Sequence, residues 1–197
     1  MYDLIALALL MRGPTHGYVI AGVVNDVIGP FARASNGRLY PMLSSLTKRG
    51  FIEVYGERTT DGGRVARSFS ITKPGREYFR FLMLETSESP REYRDRFAFK
   101  VTAFDQIDHK DRLDILRHYV QFADAHVRHL KAQADDLAKS ASYGHTGVQR
   151  ARFAEVFAHL VLVWERESTW ATELLKSASS RRLDGTQIRP KAKKRGT

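Results

Sequence analysis

The sequence contains no cysteine. Disulfides and thiolate metal sites are therefore excluded, and a reducing cytoplasm is the expected setting. Long apolar runs are also missing. The opening stretch Leu4–Met11 has no basic segment before it and no small-residue cleavage pattern after it, and it is too short to span a bilayer. No targeting signal is expected. Nothing repeats at solenoid spacing, and compositional bias is confined to the segment from Ser177 onward. The sequence also lacks a Gly-rich phosphate loop, a nucleophile elbow and a conspicuous carboxylate or histidine cluster. No enzyme activity is expected, and no catalytic residue, cofactor or metal is assigned.

What is present is a core and an uneven charge. The chain has 197 residues, 43% of them hydrophobic and 11% aromatic, enough to fill one large domain or two small ones. The net charge of +10 is concentrated at the ends. Residues 1–80 carry 11 Lys/Arg against 6 Asp/Glu, residues 81–180 carry 14 against 15, and residues 181–197 carry 7 against 1. Clustered Lys and Arg release counterions condensed on phosphates, so a polyanion, first of all nucleic acid, is the expected partner.

Leu4, Leu7, Ala8 and Met11 recur at helical spacing and stop at Gly13-Pro14. Thr15 is the expected N-cap of a second helix over about residues 16–28, with Val19 or Ile20, Val23, Val24 and Val27 inward and Gly29-Pro30 as its stop. A third helix is expected after a cap at Ser35 or Asn36. It turns Leu39, Leu43 and Leu46 inward and closes at Gly50.

The opposite face then carries Arg38, Tyr40, Pro41, Ser44, Ser45 and Lys48, rich in hydrogen-bonding groups and positive charge, as a recognition helix in a major groove requires. Arg38 lies near the helix start, where its planar fork can bond guanine bidentately. Pro41 is tolerable only in the opening turns. After Gly50 the period changes to two. Residues 51–55 read as a strand, 60–63 as a turn and 65–71 as the returning strand, a two-stranded wing with Arg58, Arg64 and Arg67 placed to contact phosphate or enter a minor groove. Thr72 caps a fourth helix over 75–84, with Tyr78, Phe79 and Leu82 inward.

The segments Gly13-Pro14-Thr15-His16-Gly17-Tyr18, Gly37-Arg38-Leu39-Tyr40-Pro41-Met42-Leu43, Gly50-Phe51-Ile52 and Arg67-Ser68-Phe69-Ser70-Ile71-Thr72-Lys73-Pro74-Gly75 follow one another as in the PadR-like regulators. The chain resembles that family across residues 2–80. The resemblance implies a bacterial cytoplasmic transcription factor, usually a repressor acting as a homodimer on an inverted repeat. It implies that Tyr40 contacts backbone phosphate and that neighbouring outer-face positions contact bases. Ser45 departs from the pattern, because that position is often basic in the family. Small aromatic effectors occur in the family and vary among its members.

In the second half, Leu113, Leu116, Val120, Ala123, Val127, Leu130, Ala134 and Leu137 are spaced three and four apart, a seam of more than three heptads. A second helix over about 148–178 carries Phe153, Phe157, Leu160, Trp164, Ala171 and Leu174 on one face. Val156, Val163 and Trp170 follow heptad spacing on another, and residues 143–147 form the turn between the helices. One partner helix cannot cover both faces. A second copy of the chain is the expected cover, with Val156, Leu160, Val163, Trp164 and Trp170 at the contact. Similarity to longer PadR-like proteins of the virulence-activator type implies a dimerisation domain of this kind.

The expected architecture is mainly α (α+β). It comprises a winged helix-turn-helix over residues 1–84, a helical dimerisation domain over 92–178 with the boundary near Glu85–Arg91, and a basic disordered tail over 179–197. Three sharper readings stand beside this one. His126 and His129, with His118 and His159, could be a metal site, but no carboxylate completes a ligand set. Trp164 and Trp170 could wall an effector pocket, although packing explains them as well. The rival function is a protein-interaction adaptor, in which the helical domain recruits a partner and the winged helix does not read DNA.

Overall fold

A computed structural model describes residues 1–28, 36–59, 65–86, 90–139 and 147–180. The described elements are helices α1 (Tyr2–Met11), α2 (Gly17–Ile28), α3 (Asn36–Lys48), α4 (Lys73–Leu84), α5 (Pro90–Thr102), α6 (His109–Lys139) and α7 (Gly147–Ser180), with strands β1 (Thr15–His16), β2 (Ile52–Thr59) and β3 (Val65–Ile71) and a 3-10 turn at Phe104–Gln106. The chain divides into two compact units between Asp108 and His109.

In the first unit, α1 is the central helix, with Leu4, Ile5, Leu7 and Leu10 at most 1% exposed. Around it pack α2, α3, α4 and the sheet, each through the apolar positions that its period sets. Ile20 and Val24 of α2 are fully buried, whereas Val19 and Val27 remain exposed. Leu39, Leu43 and Leu46 of α3 are buried as their spacing requires. Gly50 ends α3 at φ 74°, a left-handed conformation that glycine adopts without steric cost.

Thr15 is not an N-cap. It lies in β1 opposite Phe69, with His16 opposite Ser68, so the wing has a third strand and the sheet order is β1-β3-β2. The Thr15 hydroxyl donates to the Gly13 carbonyl at 3.1 Å. β2 extends to Thr59, past the expected end at residue 55, and β3 spans the expected residues. Thr72 does cap α4. Its hydroxyl accepts from the Gly75 amide at 3.1 Å and donates to the Gly50 carbonyl at 2.6 Å, tying the cap to the end of α3.

α5 belongs to the first unit, so the unit runs about twenty residues beyond the expected boundary at Glu85–Arg91. Two polar ties explain the difference. Lys100 Nζ donates to the Glu85 carbonyl at 2.5 Å, and Arg12 donates to the Thr102 carbonyl at 3.1 Å and pairs with Asp105 at 3.2 Å. Tyr93, Phe97 and Lys100 are fully buried on one face of α5, and burial pushes the Tyr93 phenol above its ordinary range.

The second unit is an α6–α7 antiparallel hairpin, longer at both ends than the periodicity alone marks. Leu113, Leu116 and Ala123 are buried in its seam, and the later positions from Val127 to Leu137 are half-buried. The seam also carries polar ties: Tyr119 donates to Glu167 at 2.7 Å, and Lys131 pairs with Glu165 at 2.7 Å. The expected turn at 143–147 and the basic tail fall largely or wholly outside the described residues.

Candidate nucleic-acid interface

The interface is built on the outer face of α3. Because Leu39, Leu43 and Leu46 anchor one side of the helix, Tyr40, Pro41, Ser44, Ser45 and Lys48 emerge on the other and are all exposed. Pro41 lies within the first two turns of α3 and the helix continues through it. Gly17 lets the start of α2 approach closely: a Cβ there would lie 3.3 Å from the Phe69 ring, 3.4 Å from Leu43 and 3.7 Å from Tyr40. α2 and α3 are thus held as a helix-turn-helix pair, with Tyr40 at the edge of their contact.

Between α3 and the sheet runs an open groove of about 500 Å³, bordered by Tyr40, Ser44, Thr47 and Lys48 on the helix and by Val54, Arg67 and Phe69 on the strands. The phenol of Tyr40, the ammonium of Lys48 and the guanidinium of Arg67 are exposed along it, suited to phosphate oxygens at the rim of a duplex groove. Arg67 is not alone. Its Nε donates to Glu57 Oε1 at 2.6 Å, a carboxylate that the strand pattern does not mark.

The remaining expected contacts are placed only in part. Asn36 and Arg38 lie in the first turn of α3 and Arg58 lies on β2, but their side chains fall outside what is described, as do Ser35 and Arg64 entirely.

In the second unit, Val156 is 53% exposed, Phe153 is 43% exposed, and Leu160, Val163 and Trp170 are half-buried. Trp164 differs from the expected contact set. It stacks on His126 with centroids 4.2 Å apart and meets Phe122 edge-on at 5.5 Å, so it belongs to the hairpin's own seam. That packing also occupies His126, whose Nδ1 lies 2.9 Å from the Phe122 carbonyl. An unexpected cavity of about 240 Å³ lies in the first unit, lined by Leu9, Val23, Phe99 and Ala103 with Arg12 and Gln106 at its polar side. It depends on the placement of α5, which the apolar periodicity does not announce.

A helix-turn-helix whose second helix presents an exposed polar face beside a β-sheet wing defines a winged helix-turn-helix protein. A model of the transcriptional regulator PadR-like family matches residues 6–80. The negative transcriptional regulator PadR of Bacillus subtilis (strain 168) is 24% identical over 136 residues, spanning 68% of this chain and 74% of that protein. Among solved structures, B. subtilis PadR in complex with operator DNA aligns over 89% of this chain and 96% of that one, at 19% identity and a TM-score of 0.40. The Vibrio cholerae virulence activator AphA aligns over 92% and 99%, at 22% identity and a TM-score of 0.37. Over residues 6–80, the chain is similar to the PadR-like family of transcriptional regulators.

Proposed function

We propose that the protein is a sequence-specific DNA-binding repressor that works as a homodimer on an inverted-repeat operator. The observation that carries this reading is the exposed row Tyr40, Ser44 and Lys48 on α3 beside Arg67 on the wing, held on a rigid apolar base. Arg38, at the start of α3, supplies the base contact, and Tyr40 and Lys48 position the helix on the backbone. Arg58 and Arg64 are assigned sequence-independent contacts and Ser35 and Asn36 the remaining DNA contacts.

Dimerisation falls to the second unit. α7 leaves Phe153 and Val156 exposed beside half-buried Leu160, Val163 and Trp170, a strip that a two-fold partner covers without an open-ended assembly. Two copies place two α3 helices about one DNA turn apart, which gives specificity to a fold that covers one half-site alone.

Such a protein performs no catalysis and works in the cytoplasm on the chromosome; among the described residues no helix is long and apolar enough to cross a membrane. If a small aromatic effector releases it, the α1–α2–α5 cavity is a better fit than Trp164, whose ring is already packed. Any effect of the basic segment after residue 180 on DNA is confined to non-specific binding.

The test is a mobility shift with a duplex from the gene's own upstream region against a scrambled duplex of equal length. The regulator retards the first at nanomolar concentration and the second only at far higher concentration. Arg38→Ala costs roughly 1–3 kcal/mol and relaxes preference at one base pair per half-site. Equal, weak retardation of both duplexes, unchanged by Arg38→Ala, would favour the adaptor reading.

A further inference from the structure

We propose that Glu57 sets the selectivity of the wing by competing with DNA phosphate for Arg67. The inference rests on the groove between α3 and the sheet being the DNA-facing surface.

The ion pair arises from a register shift. Ile52 pairs with Ile71 and Val54 with Phe69, so unbroken pairing would put Gly56 opposite Arg67. The pairing instead slips between Val54 and Gly56, leaving Tyr55 as the extra residue. Gly56 then faces Ser68, and Glu57 faces Arg67. Because side chains alternate along a strand, one residue of slip decides which group shares a face with its neighbour. Phe69, Ile71 and Arg67 share the β3 face that borders the groove, and the bulge adds Glu57 to that face. A carboxylate is thereby set beside a groove whose charged lining residues, among those described, are Lys48 and Arg67.

The pair is short but not protected. Nε to Oε1 is 2.6 Å, and the two side chains are 60% and 49% exposed. An ion pair in water at that exposure contributes little, so it can be exchanged when a better anion arrives. Arg67 bonds Glu57 through its Nε, whereas a well-placed phosphate accepts two parallel N–H bonds from a guanidinium. On a duplex that fits the α3 face, a phosphate stands where it can take Arg67, and Glu57 turns to water. On a duplex that fits poorly the exchange is incomplete, and Glu57 both retains Arg67 and repels the backbone. The bulge therefore penalises non-specific DNA more than the operator.

The experiment uses the full chain and four proteins: wild type, Glu57→Gln, Arg67→Ala and the double variant. Each is titrated across a range of salt with two probes, the duplex that wild type enriches from a random-sequence library and an unselected duplex of the same length. Glu57→Gln is expected to tighten the unselected duplex by roughly 1.4-fold to 5-fold, the range that an exposed ion pair spans. The enriched duplex should gain less, so the ratio between the two falls. The salt slope on the unselected duplex steepens by about 0.9 for each additional phosphate neutralised. In the Arg67→Ala background most of the gain disappears. The proposal is overturned if Glu57→Gln binds the unselected duplex no better than wild type, which would make the carboxylate a bystander or a positioning group. It is equally overturned if the gain persists in full without Arg67, since repulsion alone would then explain it. A wild type that binds neither duplex would instead remove the reading of the groove on which the proposal stands.

Discussion

Gly75 lies directly against the backbone of Phe51: a Cβ on it would come 1.9 Å from the Phe51 carbonyl oxygen and 2.8 Å from Ile71 Cγ1. That carbonyl also accepts from the Thr72 amide at 3.1 Å, so the start of α4 is pinned to the start of β2 and the sheet hangs from both. Gly75→Ala must push backbone from backbone, which no rotamer change can relieve. Its cost is expected to exceed about 2 kcal/mol. Urea unfolding of the full chain checks this, and a midpoint equal to wild type would show that the backbone there relaxes freely.

Tyr40 is 50% exposed, so removing its hydroxyl should leave stability almost unchanged. If that hydroxyl donates to a phosphate, Tyr40→Phe loses a hydrogen bond to a charged group, worth about 1.5 kcal/mol or roughly tenfold in affinity. The loss should fall alike on all duplexes, because phosphates carry no sequence. Fluorescence anisotropy with an operator and a scrambled duplex separates the outcomes: a loss confined to one sequence would make Tyr40 a base reader.

Val156, at 53% exposure, stands beside Phe153 on the strip of α7 assigned to a second copy. Val156→Glu buries an unpaired charge in a dimer and nothing in a monomer. Light scattering should therefore register a shift towards monomer at micromolar concentration while the helical circular dichroism signal persists. An unchanged dimer mass would move the interface elsewhere.

Much of this architecture is visible in the residues themselves. Leu39, Leu43 and Leu46 fix the buried side of α3, and once that side is fixed the exposed row from Tyr40 to Lys48 follows from 3.6 residues per turn. Local chemistry likewise marks Thr72 and Gly50 as helix boundaries. β1 could not be read this way, since two residues have no period and the strand exists only because β3 offers an edge. The bulge at Tyr55 is a property of a strand pair, so the meeting of Glu57 and Arg67 could not be seen in either strand. α5 did leave a signal in Tyr93 and Phe97, four apart, but the third position of that buried face is Lys100, and a lysine hides an apolar stripe. Its bond to the Glu85 carbonyl and the Tyr93 ring, whose centroid lies 5.7 Å from its Nζ, show how it is buried.

The central claim is that a cationic face built on α3 and the wing binds duplex DNA through its phosphates. The most direct measurement is the affinity of the full chain for its upstream duplex as salt is raised, with Lys48→Ala in parallel. With about 6 phosphates neutralised by the dimer, the slope of log affinity against log salt is expected near −5, and each phosphate that a variant no longer neutralises should make it shallower by about 0.9. A slope near zero, or one that Lys48→Ala leaves unchanged while affinity stays at wild-type strength, would contradict the account.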